Sequence, residues 1–124
     1  MQRVQRRITV AVLLLSFLLA LPRVSEGHAF PDHSNPKVGA TLTTAPVGVY
    51  IWFDGDLEPA FSTIMVHDAS GRMVNQANSR VNPSDTRLLE VGLPPLPAGT
   101  YHVMWNVVSR DGHRTSGDFS FTIK

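Results

Sequence analysis

Three features of residues 28–124 predict an all-β chain folded as an antiparallel sandwich of about seven strands with Greek-key connections. Apolar residues alternate with a period of two in several short segments, and Pro, Gly and Asn punctuate those segments at close spacing. No stretch after residue 28 carries a helical apolar stripe. Side chains two apart share one face of a strand, so each segment can bury one row.

The elements follow in order. "VGVYIWF", 47–53, puts Val49, Ile51 and Phe53 on one face. "STIMVHD", 62–68, is rich in β-formers and runs through the turn "ASGR" into "MVNQ". "TRLLEVGL", 86–93, is a further strand. "TYHVMWNVVS", 100–109, is the clearest, with Tyr101, Val103, Trp105 and Val107 alternating against His102, Met104, Asn106 and Val108. "GDFSFTIK", 117–124, repeats the device with Phe119, Phe121 and Ile123. Ahead of Tyr101, "LPAGTY" resembles the tyrosine corner of immunoglobulin-like sandwiches, where the hydroxyl ties the incoming loop to the strand. An ordinary half-buried strand tyrosine fits the same residues; the immunoglobulin-like sandwich is expected either way.

Residues 1–27 carry the pattern of a secretory signal peptide. Arg3, Arg6 and Arg7 precede the uncharged, leucine-rich run 8–22, and small residues follow. The run is shorter than the about 20 apolar residues of a spanning helix. The small-x-small rule favours a cut after Gly27, which makes His28 the first residue, and also accommodates a cut after Ala29, which removes it. Cleavage takes away Arg3, Arg6, Arg7, Arg23 and Glu26, and the formal charge moves from +1 to −2. The basic balance therefore belongs to the leader, and a nucleic-acid partner is not expected. With no cysteine, stability must come from packing, and any metal site must use nitrogen, oxygen or thioether donors.

Three of the five histidines invite ordinary explanations. His67 beside Asp68 suits a surface pair. His102 faces away from Tyr101 and Trp105 and should be solvated. His33 is near enough to His28 to serve as an outer partner of a site there. "SRDGHR", 109–114, differs. Asp-Gly between two alternating strands is a hairpin signal in its own right, yet a turn does not ask for His113. Asp111 and His113 form a compact oxygen-plus-nitrogen pair, and Gly112 lets the backbone curve so that both can face one way. Cleavage before His28 adds two donors at once, because a free α-amine and the Nδ1 of the same residue close a six-membered chelate ring. Three nitrogens and one oxygen suit a tetragonal Cu(II) ion, one per chain, with zinc weaker on the same atoms.

The motifs "HAFPDHSNPKVGATL", "AGTYHVMWNVVSRDGH" and "SGDFSFTI" together resemble the CopC family of secreted copper-binding proteins over essentially the whole mature chain. The resemblance implies a small immunoglobulin-like sandwich in the periplasm that binds Cu(II) through His28 (amine and imidazole), Asp111 and His113. It points to cleavage after Gly27, giving a leader at 1–27 and a single copper-binding domain at 28–124. It also implies a role as copper carrier or chaperone in homeostasis or resistance, as a monomer, beside a separate CopD-type membrane copper transporter. Some members hold Cu(I) in a Met-rich loop, but Met65, Met73 and Met104 lie on separate segments, so no Cu(I) site is expected. Some also carry a Glu after the strand matching "YIWF"; here "FDGDLE" offers Asp54, Asp56 and Glu58, best read as a solvated acidic turn.

Two other function classes compete. A histidine-brace copper enzyme would need an open coordination position, which Asp111 fills, and an extended aromatic platform is not evident in the sequence. A metal-free immunoglobulin-like interaction module would leave "DG" as a turn only. No enzyme activity is expected.

Overall fold

The computed structural model describes residues 28–124, and the leader expected at 1–27 lies outside the described residues. Eight strands form two four-stranded sheets: β1 (Pro31–Asn35), β2 (Thr41–Leu42), β3 (Gly48–Phe53), β4 (Thr63–His67), β5 (Arg80–Asn82), β6 (Asp85–Gly92), β7 (Gly99–Val108) and β8 (Arg114–Ile123). One sheet has the order β1-β3-β6-β5 and the other β2-β8-β7-β4. Only β5–β6 and β7–β8 follow one another as neighbours within a sheet; every other connection crosses the sandwich. The all-β sandwich expected from the sequence is the observed fold. Pairing is antiparallel throughout except for β2 on β8, a two-residue parallel pair that aligns Thr41 with Thr122.

Period two explains the core. Val49, Ile51 and Phe53 of β3 and Leu89 and Val91 of β6 face Ile64 and Val66 of β4. Tyr101, Val103, Trp105 and Val107 of β7 and Phe119, Phe121 and Ile123 of β8 complete the interior. Each such side chain contributes about 1.5–3 kcal/mol when fully buried. Trp105 meets Phe53 edge-on, with centroids 5.3 Å apart, and lies so close over Gly117 that a Cβ there would come within 2.5 Å of the indole. The Tyr101 hydroxyl donates to the Pro97 carbonyl at 2.7 Å, four residues upstream, which makes it a tyrosine corner.

The longest contact surface is the β7–β8 hairpin, in register from Gly99↔Ile123 to Val108↔Arg114. That register delivers residues 109–113 to one end of the sandwich as a short, firmly based loop. The outer edge of β4 is covered by the chain that follows it. Asn75 Oδ1 accepts from the Val66 amide at 2.9 Å, and Ser79 Oγ accepts from the Ile64 amide at 2.8 Å. The Val74 amide donates to the Val66 carbonyl at 2.8 Å.

Candidate metal centre

The loop between β7 and β8 is closed by backbone. The Ser109 amide donates to the His113 carbonyl at 3.0 Å, and the Gly112 amide donates to the Ser109 carbonyl at 2.9 Å. Gly112 has φ +90°, a left-handed conformation that costs a side chain steric energy and glycine none. The Asp-Gly turn reading is thus correct, and it also aims side chains. Ser109 is 2% exposed, and its hydroxyl donates to Asp111 Oδ1. Asp111 Oδ2 lies 2.9 Å from His113 Nδ1. The Ser109 hydroxyl, then His113, hold the Asp111 carboxyl at a pKa of about 2, below its ordinary 3.8.

The amino-terminal segment reaches the same place from far along the chain. The His28 ring centroid is 4.5 Å from that of His113, at an interplanar angle of 45°. Ligand atoms of His28, Asp111 and His113 all lie within 4.8 Å of one another. His28 Nδ1 is buried and has no hydrogen-bond partner among the described residues. A buried imidazole nitrogen left without a partner is costly, and a metal ion is one way of satisfying it. The donor chemistry and the spacing therefore fit a transition metal. Neighbouring residues fix the approach. Ala29 is fully buried, its carbonyl accepts from Thr115 Oγ1 at 2.7 Å, and the Phe30 amide donates to Asp54 Oδ1 at 2.8 Å.

A family model, the CopC domain, matches residues 32–124. The chain belongs to the CopC family. The match begins beyond His28 and includes Asp111 and His113. Among curated CopC relatives, the copper transport protein CutJ of Bacillus subtilis is 34% identical over 113 residues. That alignment takes in 90% of this chain but 21% of the relative, so the chain spans about a fifth of that protein's length. Protein YobA of Escherichia coli K12 is 32% identical over 96% of both chains. Two crystal structures superpose closely. CopC from Methylosinus trichosporium OB3b has a TM-score of 0.70 at 30% identity, covering 78% of this chain and 94% of its own. PcoC, a methionine-rich copper resistance protein from Escherichia coli, has a TM-score of 0.69 at 29% identity, covering 78% and 99%.

The other sequence candidates fall elsewhere on this CopC sandwich. His33 stacks on Trp52 at 4.6 Å and bonds Asp32 at 2.9 Å; it is not in the cluster around His28. With Tyr50, 6.3 Å from Trp52, it makes a short aromatic row on the outer face that the sequence reading did not anticipate. His67 does not pair with Asp68, whose carboxylate instead accepts from Ser70 and the Arg72 amide. His102 is exposed as expected and its Nδ1 lies 2.8 Å from Ser120 Oγ. The methionines, dispersed in sequence, are less dispersed in space, because Met65 is the cross-strand partner of Met104 and Met73 bridges to His67. Asp56 accepts from Thr86 Oγ1 at 2.6 Å and faces Arg87, and Glu58 contributes its amide to the Val108 carbonyl at 2.7 Å. Around the site, Asp54 was singled out in sequence but read as part of a solvated acidic turn, whereas its carboxylate holds the Phe30 amide. Ser109 and Thr115 were missed as participants, and of these two only Ser109 left a trace in sequence, as a hydroxyl two residues before a carboxylate.

Proposed function

We propose that this protein is a periplasmic Cu(II)-binding carrier or chaperone for copper homeostasis or resistance, holding one ion per chain. In this proposal export removes residues 1–27. The freed His28 then binds through its α-amine and Nδ1, with Asp111 and His113 completing three nitrogens and one oxygen. The observation that carries the proposal is the buried, unpartnered Nδ1 of His28 beside the two hairpin donors. A metal-free interaction module gives that nitrogen nothing to do. The cut after Gly27 gains support from Ala29, because a cut after Ala29 would delete a fully buried core residue together with His28.

The names of relatives run the same way: copper transport for CutJ, and copper resistance for copper resistance protein C of Escherichia coli, which is 57% identical over 30 residues, 24% of each chain. Copper leads the divalent series on nitrogen and oxygen donors, and tetragonal geometry suits a set with two donors from one residue. Asp111 fills the fourth position, which favours storing the oxidised ion over activating a substrate. A carrier must also pass its cargo on, and a separate membrane copper transporter of the CopD type is the partner proposed, with the carrier itself a monomer.

Intact mass of the exported protein, without and with one equivalent of Cu(II), tests the whole. The expected result is a chain beginning at His28 that gains one copper. A chain beginning at Phe30, or a His28 chain that takes up no copper at micromolar concentration, would overturn the proposal. Copper-dependent peroxide turnover proportional to bound metal would replace it with the enzyme reading.

A further inference from the structure

Resting on the copper reading above, we infer that Asp54 and Thr115 are positioning residues for the amino-terminal ligand, two arms of a latch that fixes His28 before any metal arrives. Chain termini fray unless they are tied down, and a chelate built on the first residue is only as well placed as that residue. Here the tie is made by the two residues that follow it. The Phe30 amide donates to Asp54 Oδ1 at 2.8 Å, and the Asp54 amide returns a bond to the Phe30 carbonyl at 2.9 Å. The Ala29 carbonyl accepts from Thr115 Oγ1 at 2.7 Å.

The two arms come from different sheets. Asp54 follows the end of β3 in one, and Thr115 lies in β8 of the other. Between them the Ala29 methyl is fully buried and faces Gly55, where an added Cβ would lie 3.7 Å away. The segment therefore straddles the seam of the sandwich, and it cannot slide by one residue without placing His28 or Phe30 in a space filled by a methyl group. Thr115 is also two residues beyond His113, so the return of the hairpin into β8 sets both the imidazole of the loop and the approach of His28.

Four variants of the processed chain, each beginning at His28, test the latch: Asp54→Ala and Thr115→Val, which remove an arm, and Asp54→Asn and Thr115→Ser, which keep an acceptor oxygen or a hydroxyl. In the metal-free protein, the Phe30 amide should exchange with solvent at least about 10-fold faster in Asp54→Ala, and NMR order at residues 28–30 should fall in both arm-removing variants. Their Cu(II) affinity should drop by about 10- to 100-fold, the range seen when groups that orient metal ligands are lost. The copper EPR spectrum should shift towards fewer nitrogen donors, melting temperature should hold near the parent value, and the conservative pair should restore both order and affinity. The inference is overturned if the arm-removing variants keep parental order and affinity, or if the conservative variants fall just as far. If the parent binds no copper while the exchange and order measurements still follow this pattern, the copper reading fails and the latch stands.

Discussion

The two halves of the candidate centre are built in opposite ways. The hairpin half is local: Ser109, Asp111, Gly112 and His113 hold one another through bonds spanning two to four residues. The amino-terminal half is held almost wholly by distant partners, 24 residues away at Asp54 and 86 residues away at Thr115. A local device folds with its own strand pair and tolerates change elsewhere. A long-range device exists only once both sheets have docked, so it reports the completed fold.

The sharpest way to break this comparison is to add one residue ahead of His28. In the processed chain proposed above, the hairpin half is untouched, but the α-amine becomes an amide and the proposed chelate ring is lost. Cu(II) affinity should fall by more than the roughly 100-fold that losing an orienting partner costs, measured by competition against a chelator of known strength. Removing a hairpin donor instead, with His113→Ala, leaves the terminal chelate intact. Its loss should be smaller than that of the extension in the same competition. If His113→Ala costs more than the extension, the amino-terminal half is not the dominant anchor.

Stability measurements sharpen the contrast further. Ala29→Leu forces a larger side chain into a filled space and should cost about 1–3 kcal/mol in denaturant unfolding of the metal-free chain. Gly112→Ala has open space around it but a φ of +90°, and should cost about 1 kcal/mol through backbone strain alone. The smallest effect is electrostatic. Asp111 has a folded-state pKa of about 2 against an ordinary 3.8, with the Ser109 hydroxyl the largest cause. Its ionised form therefore favours the folded chain above pH 3.8, and that contribution fades as pH falls through about 2. Ser109→Ala should move the Asp111 titration, followed by carboxyl NMR shifts, upwards towards 3.8. In the proposed site, acid release of copper would be driven by protonation of the nitrogen donors, and Ser109→Ala should barely change its midpoint.

The same contrast decides what could be read from sequence. Alternation of apolar residues gave β3, β4, β6, β7 and β8 because those strands bury one row each. Strand β1 was missed because "PDHSN" is a polar edge strand without a buried row, and β2 because two residues carry no period. In the hairpin, Asp-Gly and the following His announced both turn and donors. The role of Ser109 was hidden because a serine looks alike on a surface and in a buried loop. Nothing in "FDGD" or "HRTSG" announces that Asp54 and Thr115 meet residues 29 and 30, since that depends on how two sheets stack. The methionines lie on separate segments as expected, but the β4–β7 register sets Met65 opposite Met104, and register is invisible until strands pair.

The covered margin of β4 has a consequence for life at high concentration. An uncovered sheet edge is a template on which further chains can polymerise. A newcomer aligning with residues 63–67 would first have to evict the Asn75 carboxamide and the Ser79 hydroxyl from amides they already satisfy. A crowded solution of this chain thereby finds one flank closed to fibril growth without a single cysteine to staple it.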